Sequence, residues 1–266
     1  MRLIGDIETD GFLEELTTCH CIVLYDPDTK QYMRFRSGDK GHQNLDDAVR
    51  LLNHADELYF HNGHGFDYPA LKKLYPEFSP KPGAMRDTLV MASAVYRNLR
   101  NLDFRNMEKG KYPPDFAKRQ LVGMHRLEAW GVRLGLEKGS IADDEGITDW
   151  SEWTPEMEDY CEQDVRVTVK LWEGLTKEKN LKLHPWHCHD LDNRFQHLMS
   201  RQERQGFLFD SDAATELFGE LEQRLHDLTT ELQGVFHPFY KRDKAIVPKR
   251  DNSKFGYCEG AEFQKL

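Results

Sequence analysis

Arg2-Leu3-Ile4-Gly5-Asp6-Ile7-Glu8-Thr9 reads as a β-strand, and its two acids set the terms for the rest of the chain. Successive side chains of a strand point to opposite faces, so Asp6 and Glu8 share one face while Leu3 and Ile7 lie on the other. Two carboxylates about 4 Å apart, at an effective dielectric near 20, repel by roughly 4 kcal/mol, and a divalent cation or a proton between them relieves that repulsion. The pair also fits a plain acidic turn at a strand end. Further carboxylates decide between these readings.

Two more segments supply them. His61-Asn62-Gly63-His64-Gly65-Phe66-Asp67 follows the strand-like Glu57-Leu58-Tyr59-Phe60 and precedes the helical Tyr68-Pro69-Ala70-Leu71-Lys72-Lys73-Leu74. Its glycines make a tight corner and leave Asp67 near a helix start, where free amides favour a carboxylate. Asp67 is then either a metal ligand or a helix N-cap. Asp159-Tyr160-Cys161-Glu162-Gln163-Asp164-Val165 lies in a helical pattern from about Thr154 to about Lys177. Tyr160 and Asp164, four apart, look off one helix face; the alternative is an amphipathic helix with a solvated acidic side.

Asp6-Ile7-Glu8-Thr9, Asn62 with Phe66-Asp67, and Tyr160-x-x-x-Asp164 resemble, in that order, the three motifs of the DEDDy 3′-to-5′ exonucleases. The stretches His61 to Leu71, Arg86 to Val90, Leu127 to Gly135 and Asp159 to Thr168 extend the resemblance to the proofreading domain of phage family A DNA polymerases, over most of residues 1–180. The resemblance implies that Asp6, Glu8, Asp67 and Asp164 hold two divalent cations, Mg²⁺ or Mn²⁺, and that Tyr160 orients the attacking water. It further implies that Thr9, Asn62 and Phe66 contact the substrate end. All-carboxylate ligation suits hard cations independently, and two of them can stabilise both the attacking and the leaving oxygen of a phosphodiester.

At 266 residues the chain can bury one large or two modest cores. It has no signal-like start and no run of eighteen apolar residues, so a soluble protein of the cytoplasm, the host's if it is phage-encoded, is expected, with no membrane partner. A mean hydropathy of -0.73 with 31% charged residues would suit disorder, but 11% aromatic residues argue for a folded chain. The net charge of -10 opposes extensive duplex binding; a single-stranded end held by cations, amides and stacking needs less basic surface. Five cysteines, Cys19, Cys21, Cys161, Cys188 and Cys258, without a C-x-x-C spacing fit reduced thiols. The His184-Pro185-Trp186-His187-Cys188-His189-Asp190 cluster matches no zinc spacing and reads as a domain connector.

Cys19 to Tyr25 and Gln31 to Arg36, joined by the turn Asp26-Pro27-Asp28-Thr29, complete a three-stranded meander with the first strand. A helix from about Asn44 to Asn53, the strand through Tyr59 and Phe60 and the helix after Asp67 follow. That order predicts an α/β chain with a ribonuclease H-like mixed sheet flanked by helices. Asp87 reads as the cap of a helix to Tyr96. The basic run from Arg97 to Arg119, with Phe104, Tyr112 and Phe116, fits a guide for a DNA strand or a solvated insertion equally. Leu121 to Leu134 is expected to be helical, residues 139–153 an acidic loop, and Thr154-Pro155 a helix start.

The first domain is expected to be an exonuclease over 1–180, followed by a connector and a helical segment over 181–266. Leu191 to Gln205 reads as a helix ending at Gly206, and a second runs from about Ser211 to Val235. Arg201 to Asp210 resembles the step from exonuclease into thumb in family A polymerases, whose palm and fingers motifs are absent here. The basic, Pro- and Gly-containing stretch 237–266 reads as a thumb that breaks off: a fragment, a truncated sequence or half of a split polymerase. The expected function is a metal-dependent 3′-to-5′ DNA exonuclease acting on single-stranded 3′ ends in proofreading. Two alternatives are a subunit needing a separate polymerase chain or other replication protein, and a stand-alone exonuclease acting on RNA.

Overall fold

The expected meander forms from Arg2–Thr9 (β1), Cys19–Asp26 (β2) and Gln31–Arg36 (β3), paired antiparallel, in a computed structural model that describes residues 1–36, 44–136 and 150–236 and the backbone of 245–246 and 263–264. Leu45–His54 (α1) then crosses over so that Glu57–Phe60 (β4) pairs parallel with β1, and Met85–Asp87 (β5) adds in parallel beyond it. The strand order is β3-β2-β1-β4-β5, which puts Asp6 and Glu8 on the central strand. This mixed α/β sheet with flanking helices is the ribonuclease H-like architecture the sequence predicts.

Alternation along β1 sorts the two faces. Leu3 and Ile7 pack with Leu24 and Phe35 against α1 residues such as Leu52 and against Leu71 of Asp67–Leu74 (α2). Ile4, Val23 and Tyr59 face the other way, against Met91 of Thr88–Val95 (α3), Trp130 of Leu127–Leu134 (α5) and Val165 of Pro155–Leu175 (α6). Local signals fix the helix starts. Asn44 accepts from the Asp46 amide, Asp87 from Leu89 and Thr154 from Met157, with Pro155 at the first turn of α6.

The structure departs from the sequence reading in several places. β5 has three residues, too few for an alternation to show. The basic run after Arg97 is not a solvated insertion throughout: Leu99–Glu108 is a helix (α4), and Phe116 is fully buried with Leu121, Ala129 and Val132 in a small core of its own. Residues 121–126 are not helical, because Gly123 adopts φ 75° and its amide turns to Asp103 Oδ2 at 2.8 Å. The His-rich heptapeptide is the start of a helix, Trp186–Gln205 (α8), preceded by Glu178–Leu183 (α7).

The chain divides into two compact units, Met1–Gly206 and Phe207–Leu266. α8, which the sequence reading placed after a boundary near 180, belongs to the first, as does α7, which spans that boundary. The physical reason is visible in α8, where buried Asn193 accepts from the Asp87 amide at 2.6 Å. In the second unit Ser211–Val235 (α9), capped by Asp210, exposes Leu217, Leu221, Leu225, Leu228 and Leu232. Its other described elements are the short strands Ala245–Ile246 (β6) and Phe263–Gln264 (β7), paired antiparallel. The acidic loop's residues 139–149, Cys258 and the basic residues expected at 241–250 lie outside the described residues. Among the described residues no helix is long and apolar enough to cross a membrane.

Asp103 and Arg133 tie the small core together. Their side chains are almost wholly buried, Arg133 Nη2 donates to Asp103 Oδ2 at 2.7 Å, and Arg133 also serves the carbonyls of Leu121 and Met124. Removing the carboxylate would leave a buried guanidinium without its counter-charge. Asp103→Ala is expected to lower unfolding free energy by about 3–5 kcal/mol, read by urea denaturation.

Candidate metal centre

β1 and α6 meet at the carboxylates. One oxygen each of Asp6 and Glu8 and the Sγ of Cys161 lie within 4.8 Å of one another, the carboxylates half-buried and the thiol buried. Cys161 Sγ donates to the main-chain oxygen of Asp6 at 3.4 Å. Burial, with Cys21 beside it, holds that thiol well above its ordinary value, so it fills space as a neutral group. The sequence reading missed Cys161. A signal existed, since residues 161, 164, 165 and 168 follow the three- and four-residue spacing of the α6 face that packs on the sheet.

Asp67 opens α2 and is buried, yet no side chain caps that helix and Asp67 Oδ1 has no hydrogen-bond partner. Burial pushes its carboxyl up to about 8, with the charges of Asp87 and Asp164 adding to the effect. Asp164, buried one turn beyond Tyr160 on α6, is thus close enough to Asp67 to be felt. Cys19, fully buried, senses both Glu8 and Asp67, which links the two pairs of acids.

The corner before Asp67 is built around Asp87. Its carboxylate accepts from the amides of Asn62 at 2.9 Å, His64 at 3.1 Å and Leu89 at 2.9 Å, so one residue caps α3 and shapes the turn. Burial raises this carboxyl to about 6 against the pull of those amides. Asn62 sits exposed at φ 63°, and its carbonyl accepts from Gly65 and Phe66. A Cβ on Gly65 would come within 2.5 Å of Asn62 Oδ1, and one on Gly63 within 2.6 Å of Phe60 Cβ. Close approach therefore requires glycine at 63, whereas at 65 the exposed Asn62 side chain would have to turn aside.

The remaining expected residues are placed differently from one another. Tyr160 is half-buried, with its ring edge-on to Trp150 at 6.3 Å, and the Trp150 carbonyl is bonded to His20 at 2.8 Å. Thr9 turns its hydroxyl to the Gly11 carbonyl at 2.9 Å, and Phe66 packs partly into the core. Arg34 of β3 locks the outer side of α6 by donating to Glu162 at 2.6 Å and to Asp159 at 2.8 Å. At the helix start, Arg36 lies over the Trp153 ring at 4.3 Å. The His184 to Asp190 cluster forms no metal group: His184 pairs with Asp192 at 2.7 Å, and among the described residues only Asp6, Glu8 and Cys161 gather three candidate ligand atoms.

The donor set fits hard divalent cations. It offers carboxylate oxygens, an orphaned buried Oδ1 on Asp67, and a repulsion that a cation would relieve.

A model of the RNase H superfamily matches residues 3–176. The chain is 35% identical, over 271 aligned positions, to the DNA-directed DNA polymerases of Escherichia phage T7 and Enterobacteria phage T3, covering 90% of itself and 38% of each. It therefore spans well under half the length of these relatives. Among solved structures, Brucella melitensis NrnC with bound Mg²⁺ shares the fold at a TM-score of 0.50 and 18% identity, over 77% of this chain and 86% of that one.

Asp67 gives a pH test with a definite sign. Its folded-state carboxyl is raised from 3.8 to about 8, so the stability of its protonated form is full below about 4 and is lost as pH rises toward 8. Asp67→Asn keeps the neutral shape. In EDTA, its melting temperature should gain on the wild type progressively from about pH 4 to 8, and Mg²⁺ at pH 8 should cancel or reverse that gain.

Proposed function

Since this chain belongs to the RNase H superfamily, we propose that its first unit is a divalent-metal-dependent nuclease, specifically a 3′-to-5′ exodeoxyribonuclease that proofreads for a family A DNA polymerase. The observation that carries the reading is the meeting of Asp6 and Glu8 with α6 beside a buried Asp67 that feels Asp164. The polymerase relatives from phages T7 and T3 favour DNA as substrate, and the Mg²⁺ in the NrnC structure is in keeping with the donor set.

In this reading Asp6, Glu8, Asp67 and Asp164 hold two Mg²⁺ or Mn²⁺ ions. When bound, such a pair activates water and stabilises the charge on both the attacking and the leaving oxygen. The chain's own groups do the positioning. Asp67 gives up the proton that its burial otherwise retains. The Tyr160 hydroxyl holds the attacking water in line with the phosphorus, while Trp150 braces its ring. Asn62 presents an exposed amide to the 3′-terminal nucleotide, with Phe66 beside it. Thr9, already bonded to Gly11, keeps the turn after β1 in shape under that nucleotide. The clamp from Arg34 to Glu162 and Asp159 fixes the register of α6, so Tyr160 and Asp164 stay aligned with β1.

A second reading rests on α9. Its leucines at 217, 221, 225, 228 and 232 run along the helix uncovered, as expected of a surface that docks on another polypeptide. The chain would then be the exonuclease part of a larger assembly, using Leu191 to Leu266 to meet a polymerase chain or another replication protein.

The test is digestion of 5′-labelled single-stranded DNA, beside RNA of the same sequence. A ladder shortening from the 3′ end in Mg²⁺, absent in EDTA and absent from Asp6→Ala and Asp164→Ala, is expected, with RNA cut more slowly. Tyr160→Phe should keep metal binding and slow the cut by about tenfold or more, the scale of about 1.4 kcal/mol lost in the transition state. Wild-type activity in Asp6→Ala would overturn the site, faster cutting of RNA would overturn the substrate, and activity only on adding a polymerase chain would select the second reading.

A further inference from the structure

Despite a net charge of -10, the chain carries among its described residues a concentrated basic surface along α8 and α2. Along α8, Arg194, His197, Arg201 and Arg204 recur at spacings of three, four and three, which places them on one helix face. Across from them lies α2, with Tyr68, Lys72 and Lys73. Two cavities of about 610 and 450 Å³ adjoin along this line and share Tyr68 and His197 in their walls.

Lys81 and Arg86 on one wall of this groove are ion-paired, but the charges on α8 and α2 are not neutralised. Among the described residues neither Arg194 nor Arg201 makes an ion pair, and Arg204 reaches only the His64 carbonyl at 3.4 Å. Lys72 donates to the Phe78 carbonyl at 2.7 Å and Lys73 to the carbonyls of Leu13 and Glu14, bonds that fix the ammonium groups without cancelling them. One acid lines the groove, Asp190, and Arg86 holds it at 3.2 Å. His64 adds a further sign. It is 4% exposed, and neither ring nitrogen has a hydrogen-bond partner. Asn193, which also serves Asp87 and His189, lies close enough to act on it.

We propose that the groove between α2 and α8 binds the sugar-phosphate backbone of a single-stranded nucleic acid, holding the part of the strand 5′ to the end being cut. The proposal deepens the nuclease reading and rests on it for the identity of the strand. The three arginines from Arg194 to Arg204 cover about 15 Å at 1.5 Å per residue, room for successive phosphates. Tyr68 and His197, edge-to-face at 5.2 Å, add planar groups on which a base can stack. α2 itself begins with Asp67, so a strand lying along it leads directly from the carboxylate site. An acidic peptide could meet the same charges but would have no use for that continuity.

The experiment uses the full chain and the double variant Arg194→Gln with Arg201→Gln, both exposed positions outside the carboxylate site. Binding of a fluorescein-labelled 20-nucleotide single strand is followed by anisotropy in EDTA at several salt concentrations. The variant should bind about tenfold more weakly at low salt, and its log–log salt slope should flatten by about 1.4, or about 0.7 for each lost phosphate contact. Arg194→Lys with Arg201→Lys should restore most of the binding, which separates charge from misfolding. In Mg²⁺, hydrolysis of a trinucleotide should be unchanged in the glutamine variant while kcat/KM on the 20-mer falls in step with binding.

Wild-type affinity and slope in the glutamine variant would overturn the groove assignment. So would competition by polyglutamate as effective as that of an oligonucleotide of equal charge, which would mark an acidic-peptide site instead. If the wild type cuts neither length in Mg²⁺ but the variant still loses binding, the nuclease reading fails and the groove stands.

Discussion

Repulsion among carboxylates that the fold refuses to let apart is the constraint on which this molecule turns. Asp6 and Glu8 cannot separate because β1 is the central strand, pinned by β2 on one edge and β4 on the other. Asp67 cannot swing into water because it is buried at the first turn of α2, and the corner before it is cross-tied to Asp87 through the amides of Asn62 and His64. α6 cannot roll away because Arg34 grips Glu162 and Asp159 on its outer side. Placing like charges so firmly costs stability, and the fold tolerates this because two apolar layers on the sheet supply the stability elsewhere.

Much of this was legible in the sequence because the signals are local. A strand of alternating burial, a capped helix with proline at its first turn, and a glycine corner between strand and helix each lie within a few residues. β1, β2, β3, α6 and α9 accordingly have the bounds, or nearly the bounds, that their patterns suggest. The convergence of Asp6 with Glu8 follows from strand periodicity alone. What the sequence did not disclose depends on partners far along the chain. Cys161 belongs beside Asp6 only once α6 lies on β1. The small core of Phe116 and Leu121 needs Arg133 to reach Asp103, thirty residues earlier. α8 joins the first unit through Asn193 and β5, a strand too short to announce itself.

Asp87 shows how one residue can be read correctly and still be underestimated. Its identity as a helix cap follows from the sequence, and the cap bond to Leu89 is present. The same carboxylate also organises the turn that presents Asn62 and Asp67, because its two oxygens can accept several amides at once. A capping motif is a statement about four residues, whereas a buried carboxylate satisfies whatever donors the fold brings to it. The structural consequence is that α3, α8 and the corner before α2 are all tied to this one residue.

Net charge illustrates the opposite error, in which a global quantity hides a local one. At -10 the chain looks ill suited to a polyanion, and averaged over the surface that is true. Yet the carboxylates of Asp6 and Glu8 and the arginines of α8 lie in different places, so a local positive surface survives the negative total. α2 achieves the separation by its length. Its acid, held largely protonated by burial, is at the first residue, and its lysines, Lys72 and Lys73, come in the last turn, where the helix dipole favours positive charge. The order of residues along that one helix therefore does two things at once: the lysines suit its C-terminal end, and they place positive charge beside Arg201 and Arg204 of α8, well removed from the acid at its start.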